Sequence, residues 1–212
     1  EKRKDSIMME RVAAILDYWF EGITEETRLS EDVAVRERWF ANNEAVDQEI
    51  KTKFGSDLTK ARKGKYSSWM DTSVGSLALI ILLDQFSRNI FRNSAKAFHT
   101  DLQALEYSLL AVKNGFDEEL SLIQRQFLYM PMMHSENMLI QKKSLDYYKG
   151  LAEAAETLEP HNVDYFLTVY DFAKRHHDII ERFERFPHRN EVLNRRSTST
   201  ELEFLKSPAA SF

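Results

Sequence analysis

Apolar residues recur at three- and four-residue spacing along nearly the whole chain, and almost nowhere do they alternate as a half-buried strand requires. Val12, Ile15, Leu16, Trp19 and Phe20 form the first such stripe, which Gly22 closes. Val33, Trp39 and Phe40 mark a short second helix. Val46, Ile50, Phe54 and Leu58 drive a third, weakened by Gly55 and stopped by Gly64. Ser73 to Asn89 reads as one helix whose first half is apolar all round, which places it centrally. Leu102, Leu105, Leu109 and Val112 define the next, ended by Asn114-Gly115. Leu120 to Tyr129 is another, broken at Pro131 because proline has no N–H to donate. Ser135 to Thr157 and Asn162 to Phe186 are long helices separated by Pro160, and Pro187 ends the second. Thr198 and Glu201 have capping-box spacing, predicting a last short helix over Ser199 to Lys206.

The expectation is an all-α chain of about eight or nine helices, with short connections that force antiparallel pairs. No composition break divides it, so residues 1–212 are expected to form one domain, with fraying at 1–6 and 207–212. No clear repeat of about 34 residues is present.

Composition then removes whole classes of function. Of 212 residues, 43% are hydrophobic and 30% charged, a globular balance. The net charge of −5 argues against nucleic acid and anionic membrane surfaces as partners. The longest apolar run, Leu77 to Leu83, is far shorter than the roughly 18 residues of a membrane span. Glu10 and Arg11 interrupt the only N-terminal apolar stretch, so no signal-peptide core is expected and the chain reads as cytoplasmic. Without cysteine there is no disulfide, thiol nucleophile or cysteine zinc cage. The glycines, at 22, 55, 64, 75, 115 and 150, are too far apart for a dinucleotide fingerprint, a P-loop or a nucleophile elbow. HExxH and the Glu-x-x-His of di-iron bundles are both missing. The adjacent His177-Asp178 resembles the ligand pair of helical phosphohydrolases, but no further Asp follows at a suitable place. No metal and no cofactor are expected.

Three segments crowd ionisable residues among aromatics. The first is Asp84-Gln85-Phe86-Ser87-Arg88-Asn89, where Asp84 with Arg88 and Gln85 with Asn89 are helical neighbours four apart. These residues serve a buried network, a ligand or a solvated edge. The second is Tyr129 to Asn137. Here Ser135 suits an N-cap and Glu136 a helix first turn, while His134 is either a satisfied core histidine or an acid–base group. The third runs from Lys174 to Arg196, with seven Lys or Arg against four Asp or Glu in an acidic protein. Its Arg182, Arg185, His188 and Arg189 either pair with the acidic surplus or form an anion pocket, since arginine forks match carboxylate and phosphate.

At these same segments the chain resembles domain of unknown function 924, a family of bacterial and plant proteins. The residues that carry the likeness are Leu82 to Asn89, with Ser87 where the family has proline, and Tyr129 to Glu136, with Met132 where it has leucine. His176 to Asn190 follows, with Glu184 in place of a glycine, and then Leu193 to Thr198, with Asn194 in place of another. Leu16-Asp17-Tyr18-Trp19-Phe20 is similar as well. The resemblance covers nearly the whole chain. It implies an all-helical, tetratricopeptide-like array and no particular activity.

Two functional readings follow. One is a helical binding module for a small anion or a peptide carboxylate, with Asp84, Gln85, Arg88, Asn89, Arg185, His188, Arg189, Asn190 and Arg195 lining the pocket. The other is a hydrolase or lyase of a small anionic substrate, with His134 or His176 as general base, Glu136 or Asp84 orienting it, and Arg185 or Arg189 as an anion clamp. Convergence of His134, His176 and an arginine on one reachable cavity would favour the second. A homo-oligomer is compatible with the sequence.

Overall fold

The computed structural model describes residues 2–210, with side chains from Ser6 onward. Glu1, Ser211 and Phe212, at the ends where the sequence predicts fraying, lie outside the described residues. Among those described there are nine helices and no strand. They are α1 (Lys2–Trp19), α2 (Val33–Phe40), α3 (Glu44–Arg62), α4 (73–90), α5 (Asp101–Lys113), α6 (Leu122–Met133), α7 (Met138–Leu158), α8 (Val163–Phe183) and α9 (Ser199–Leu205). Short 3-10 turns fill several connections. Among the described residues no helix is long and apolar enough to cross a membrane.

Local chemistry sets most of the boundaries. Asp32, Asn43, Thr72 and Asn137 cap helix starts with side-chain oxygens that accept backbone N–H bonds. Ser121 with Gln124 and Thr198 with Glu201 form full capping boxes. Gly75 allows a close approach: a Cβ there would stand 2.3 Å from the Trp69 carbonyl oxygen, so α4 can start directly on the preceding 3-10 turn.

As its composition requires, α4 runs through the middle of the core. Leu77, Ala78, Leu79, Ile80, Ile81, Leu82 and Leu83 are all buried. Around them pack Trp19 of α1, Phe54 of α3 and Phe127 of α6, with Trp19 edge-on to both Phe86 and Phe127. The two longest helices, α7 and α8, have 21 residues each and are joined only by Glu159 and a 3-10 turn at Pro160–Asn162, so they must run antiparallel. Asn162 ties that corner to the far loop, accepting from Leu29 N at 2.9 Å and donating to the Thr27 carbonyl at 3.0 Å.

Three local expectations are corrected. Helix α6 does not break at Pro131 but continues to Met133. Pro131 falls in its last turn, where only one helical hydrogen bond is lost and His134 N still bonds Met130 O at 3.1 Å. The next helix is capped by Asn137 and not by Ser135, so His134, Ser135 and Glu136 sit in the α6–α7 corner rather than in a first turn. Finally, α4 is not uniform: Ile81–Phe86 is a π-helical segment between Ser73–Ile80 and Ser87–Ile90.

Candidate functional site

The π turn rotates the end of α4 relative to a regular helix and loosens its carbonyls. Side chains supply the missing donors. Ser87 Oγ and Thr100 Oγ1 each donate to the Leu83 carbonyl at 2.6 Å, and Arg88 Nη1 donates to the Asp84 carbonyl at 2.8 Å. Because of the rotation, Gln85 and Asn89 do not meet. Gln85 Nε2 donates to Asp84 Oδ2 at 2.6 Å and to Met130 Sδ at 3.0 Å, whereas Asn89 turns away to Asp47 at 2.8 Å. Arg88 is held chiefly by Asp101, through two bonds of 2.8 and 3.0 Å, and only weakly by the Asp84 side chain at 3.5 Å.

Asp84 is wholly buried, and His134 Nδ1 lies 2.8 Å from its Oδ1. Burial pushes the carboxyl pKa up, but His134 and Arg88 overcome it and hold the value at about 2. An ionised carboxylate only accepts, so Nδ1 carries the proton and Nε2 keeps its lone pair. Burial pushes the His134 pKa down, Arg88 adds to this, and Asp84 opposes it. The ring is therefore neutral at pH 7. No described residue hydrogen-bonds Nε2, and the side chain keeps 15% of its exposure.

A cavity of about 570 Å³ opens beside this ring, between α2, α4, α6 and α8. Gln85, Arg88, His134 and His176 all line it, as do Met130, Met133, Trp39 and Phe172. His176 stands 6.3 Å from His134, ring to ring, and its Nδ1 bonds the Phe172 carbonyl at 2.8 Å. Burial, and then the neighbouring His134, push its pKa down to about 3. So the two histidines and an arginine do share one reachable cavity, with Asp84 directly behind it.

Residues of the third cluster go elsewhere. Arg189 lies on the other face of His134, where its Nη2 donates to the His134 carbonyl at 2.9 Å. It is sandwiched 4.8 Å from the Phe98 ring and 4.5 Å from Phe186, and it lines a separate space of about 270 Å³ with Asp101 and Glu136. Glu136 takes Arg195 in a two-bond fork of 2.7 and 3.0 Å and also accepts from Phe186 N at 2.7 Å. Asn190 bridges Arg195 and Ser197. Arg185 forks onto Glu201 at 2.7 and 2.8 Å. His188 is exposed and leans on Phe186 at 5.6 Å. None of Asn89, Glu136, Arg185, His188, Arg189, Asn190 and Arg195 lines the 570 Å³ cavity.

The positions where the resembled family has glycine have a structural explanation. Glu184 and Asn194 both adopt left-handed backbone, with φ of 59° and 53°. They serve turns that glycine makes at lower strain, and Glu184 caps the end of α8.

Five polar cavity residues escape a reading of the polar segments: Ser30, Arg36, Gln126, Tyr165 and Thr168. Gln126 had a signal, since it sits on the apolar stripe of α6 between Ile123 and Met130. Its side chain is fully buried beside the Tyr165 hydroxyl. Burial raises the Tyr165 pKa, while Gln126 and Arg36 pull it back, so all three are neighbours. Outside the cavity, His177, Asp178 and Glu181 bring ligand atoms within 4.8 Å of one another on α8, but the two carboxylates are exposed and nothing else there points to an ion.

Set against known proteins, the chain is similar to a solved structure, the protein of unknown function ATU0120 from Agrobacterium tumefaciens. The two superpose with a TM-score of 0.78 at 30% identity, over 94% of this chain and 98% of that one. No curated protein matches the chain. The family DUF924, described as "Bacterial protein of unknown function", matches residues 15–209. With nine-tenths of its length matched and the α4 and α6–α8 segments that build the cavity included, this chain belongs to the DUF924 family.

Proposed function

We propose that this chain, as a single cytoplasmic domain, is an enzyme that uses His134 as a general base on a small molecule held in the cavity. One observation carries the reading: His134 presents an unengaged Nε2 at the cavity wall while the buried, ionised Asp84 fixes its tautomer from behind. The roles follow from the geometry. Asp84 orients the ring and stabilises the imidazolium formed when Nε2 takes a proton. Gln85 holds the second oxygen of Asp84. Arg88 favours the neutral, basic form of His134. The cavity volume is that of an ordinary small-molecule site.

A second reading keeps the same cavity without chemistry: a binding module for a small anion or a peptide carboxylate. It draws support from the walls, which are largely apolar, and from the absence of any hydroxyl hydrogen-bonded to His134 among the described residues.

A metabolite mixture incubated with the protein and followed by mass spectrometry separates the two. The enzyme reading expects a compound that the native chain consumes and His134→Gln leaves untouched. A compound that raises the melting temperature of both but is never consumed favours the binding module. If nothing is consumed and nothing binds, both readings fail.

A further inference from the structure

The cavity wall has a charge bias that the protein as a whole does not share. The chain carries 34 Asp and Glu against 29 Lys and Arg, yet no carboxylate lines the 570 Å³ cavity. The lining cations are Arg36 and Arg88. Asp101 already grips Arg88 through both of its oxygens. The Arg36 guanidinium has no hydrogen bond, ion pair or ring contact with any described residue, its backbone N alone bonding the Asp32 carbonyl at 3.2 Å. It lies on α2, within electrostatic reach of the Tyr165 phenol across the cavity mouth.

Behind Arg36 the wall is apolar, with Trp39, Phe172 and Met133. An unpaired guanidinium beside such a surface suits an anion whose body is not polar, because a planar fork binds a carboxylate through two parallel bonds. One free guanidinium neutralises one charge. A second ionised group on the ligand would enter a largely apolar space without a free cation, at a desolvation cost of several kcal/mol.

We infer that the cavity selects a small monocarboxylate with an apolar body, held at its charged end by Arg36 and directed at its other end toward His134. This rests on the cavity being a small-molecule site, which the proposed function also needs. Arg36 is exposed on a two-turn helix and takes no part in the Asp84–His134 pair, so its replacement leaves both the fold and that pair in place.

The test uses the methionines at the cavity wall, Met130 and Met133, as reporters. With ¹³C-methyl methionine in the full chain, aryl-alkyl and branched-chain carboxylates are titrated in parallel with their primary amides and with phenyl phosphate. The carboxylates should shift the Met130 and Met133 signals at concentrations about tenfold or more below the amides, as a charged hydrogen bond implies. Arg36→Gln should abolish that preference while leaving the weaker amide binding unchanged. Equal binding of acids and amides, or a preference that survives in Arg36→Gln, overturns the carboxylate inference and leaves the cavity reading intact. Tighter binding of phenyl phosphate overturns it too. If no probe moves either methionine, the cavity reading itself falls, and the inference with it.

Discussion

Two polar knots meet at the α6–α7 corner, one through His134 and the other through Glu136, and they are built from the same residue types to different ends. In the knot formed by Glu136, Arg185, Asn190, Arg195 and Glu201, each carboxylate meets an arginine fork and the spare donors reach backbone carbonyls. Its acids are held ionised: the Arg185 fork takes the Glu201 pKa down to about 2, and Arg195 and Phe186 N outweigh burial at Glu136. In the knot around Asp84, His134 and Arg88, the charges are also balanced, but a valence is left over. His134 Nε2 has no partner among the described residues, and the ring borders open space. A closed network stabilises a corner, whereas one with unfilled hydrogen-bonding capacity beside a cavity is equipped to take a ligand. Density of charge therefore does not identify a site; the remainder after pairing does.

Asp84→Ala should break this contrast with the largest effect. It leaves His134, Gln85 and the side of Arg88 without their buried carboxylate partner, so a loss of about 3–5 kcal/mol in chemical denaturation is expected. Asp84→Asn keeps the shape, and should spare more stability while cutting any turnover by about 10² or more, because the histidine tautomer is no longer fixed. Equal losses for the two variants would make Asp84 a purely structural anchor.

Acid should strike the open knot before the closed one. His176 and His134 have folded pKa values below the ordinary 6.5, at about 3 for His176, so the unfolded chain binds protons first as pH falls. Neither histidine costs stability above pH 6.5; below it the unfolded chain gains the proton first, and for His176 the cost grows as pH drops towards 3, by up to about 1.4 kcal/mol per pH unit. The stability that the paired carboxylates Glu136 and Glu201 contribute is intact above the usual carboxylate range and is lost only as pH falls through that range towards their depressed values. Stability measured against pH should therefore begin to fall near 6.5, and His176→Gln should flatten that slope. A profile that stays level down to pH 4.5 would refute this order.

Glu136→Gln sharpens the comparison from the other side. It removes the charge from a fork while leaving most hydrogen-bonding atoms, and should cost about 2 kcal/mol with no effect on cavity binding. A loss of ligand binding in this variant would join the two knots into one functional unit. The smallest effect is expected at the turn between them. Glu184→Gly relieves a left-handed residue at an exposed helix end and should stabilise the protein by about 0.5–1 kcal/mol. A destabilised variant would show that the Glu184 side chain makes up for its strained backbone.

Much of this architecture was legible before any coordinates. Apolar stripes, prolines and caps placed the helices, the central burial of α4 followed from its apolar circumference, and the capping box at Thr198 and Glu201 set the start of α9. The candidate site was legible only in pieces. Asp84, Arg88, His134 and His176 stood out because charged groups among aromatics are costly unless used. Arg185 and Arg195 stood out for the same reason and belong to the closed knot. Arg36 gave no signal at all, since an exposed arginine on a short helix looks like any solvated side chain.

The sequence by itself determined the helices, because spacing, caps and breakers act within a few residues along the chain. Only the tertiary structure decided which charges cancel. Pairing depends on partners 50 to 59 residues away, as in Asp84 with His134 and Glu136 with Arg195, and on a π turn that re-aims one end of α4. Whether a polar side chain becomes glue or remains available is a property of the three-dimensional neighbourhood, and no local pattern encodes it.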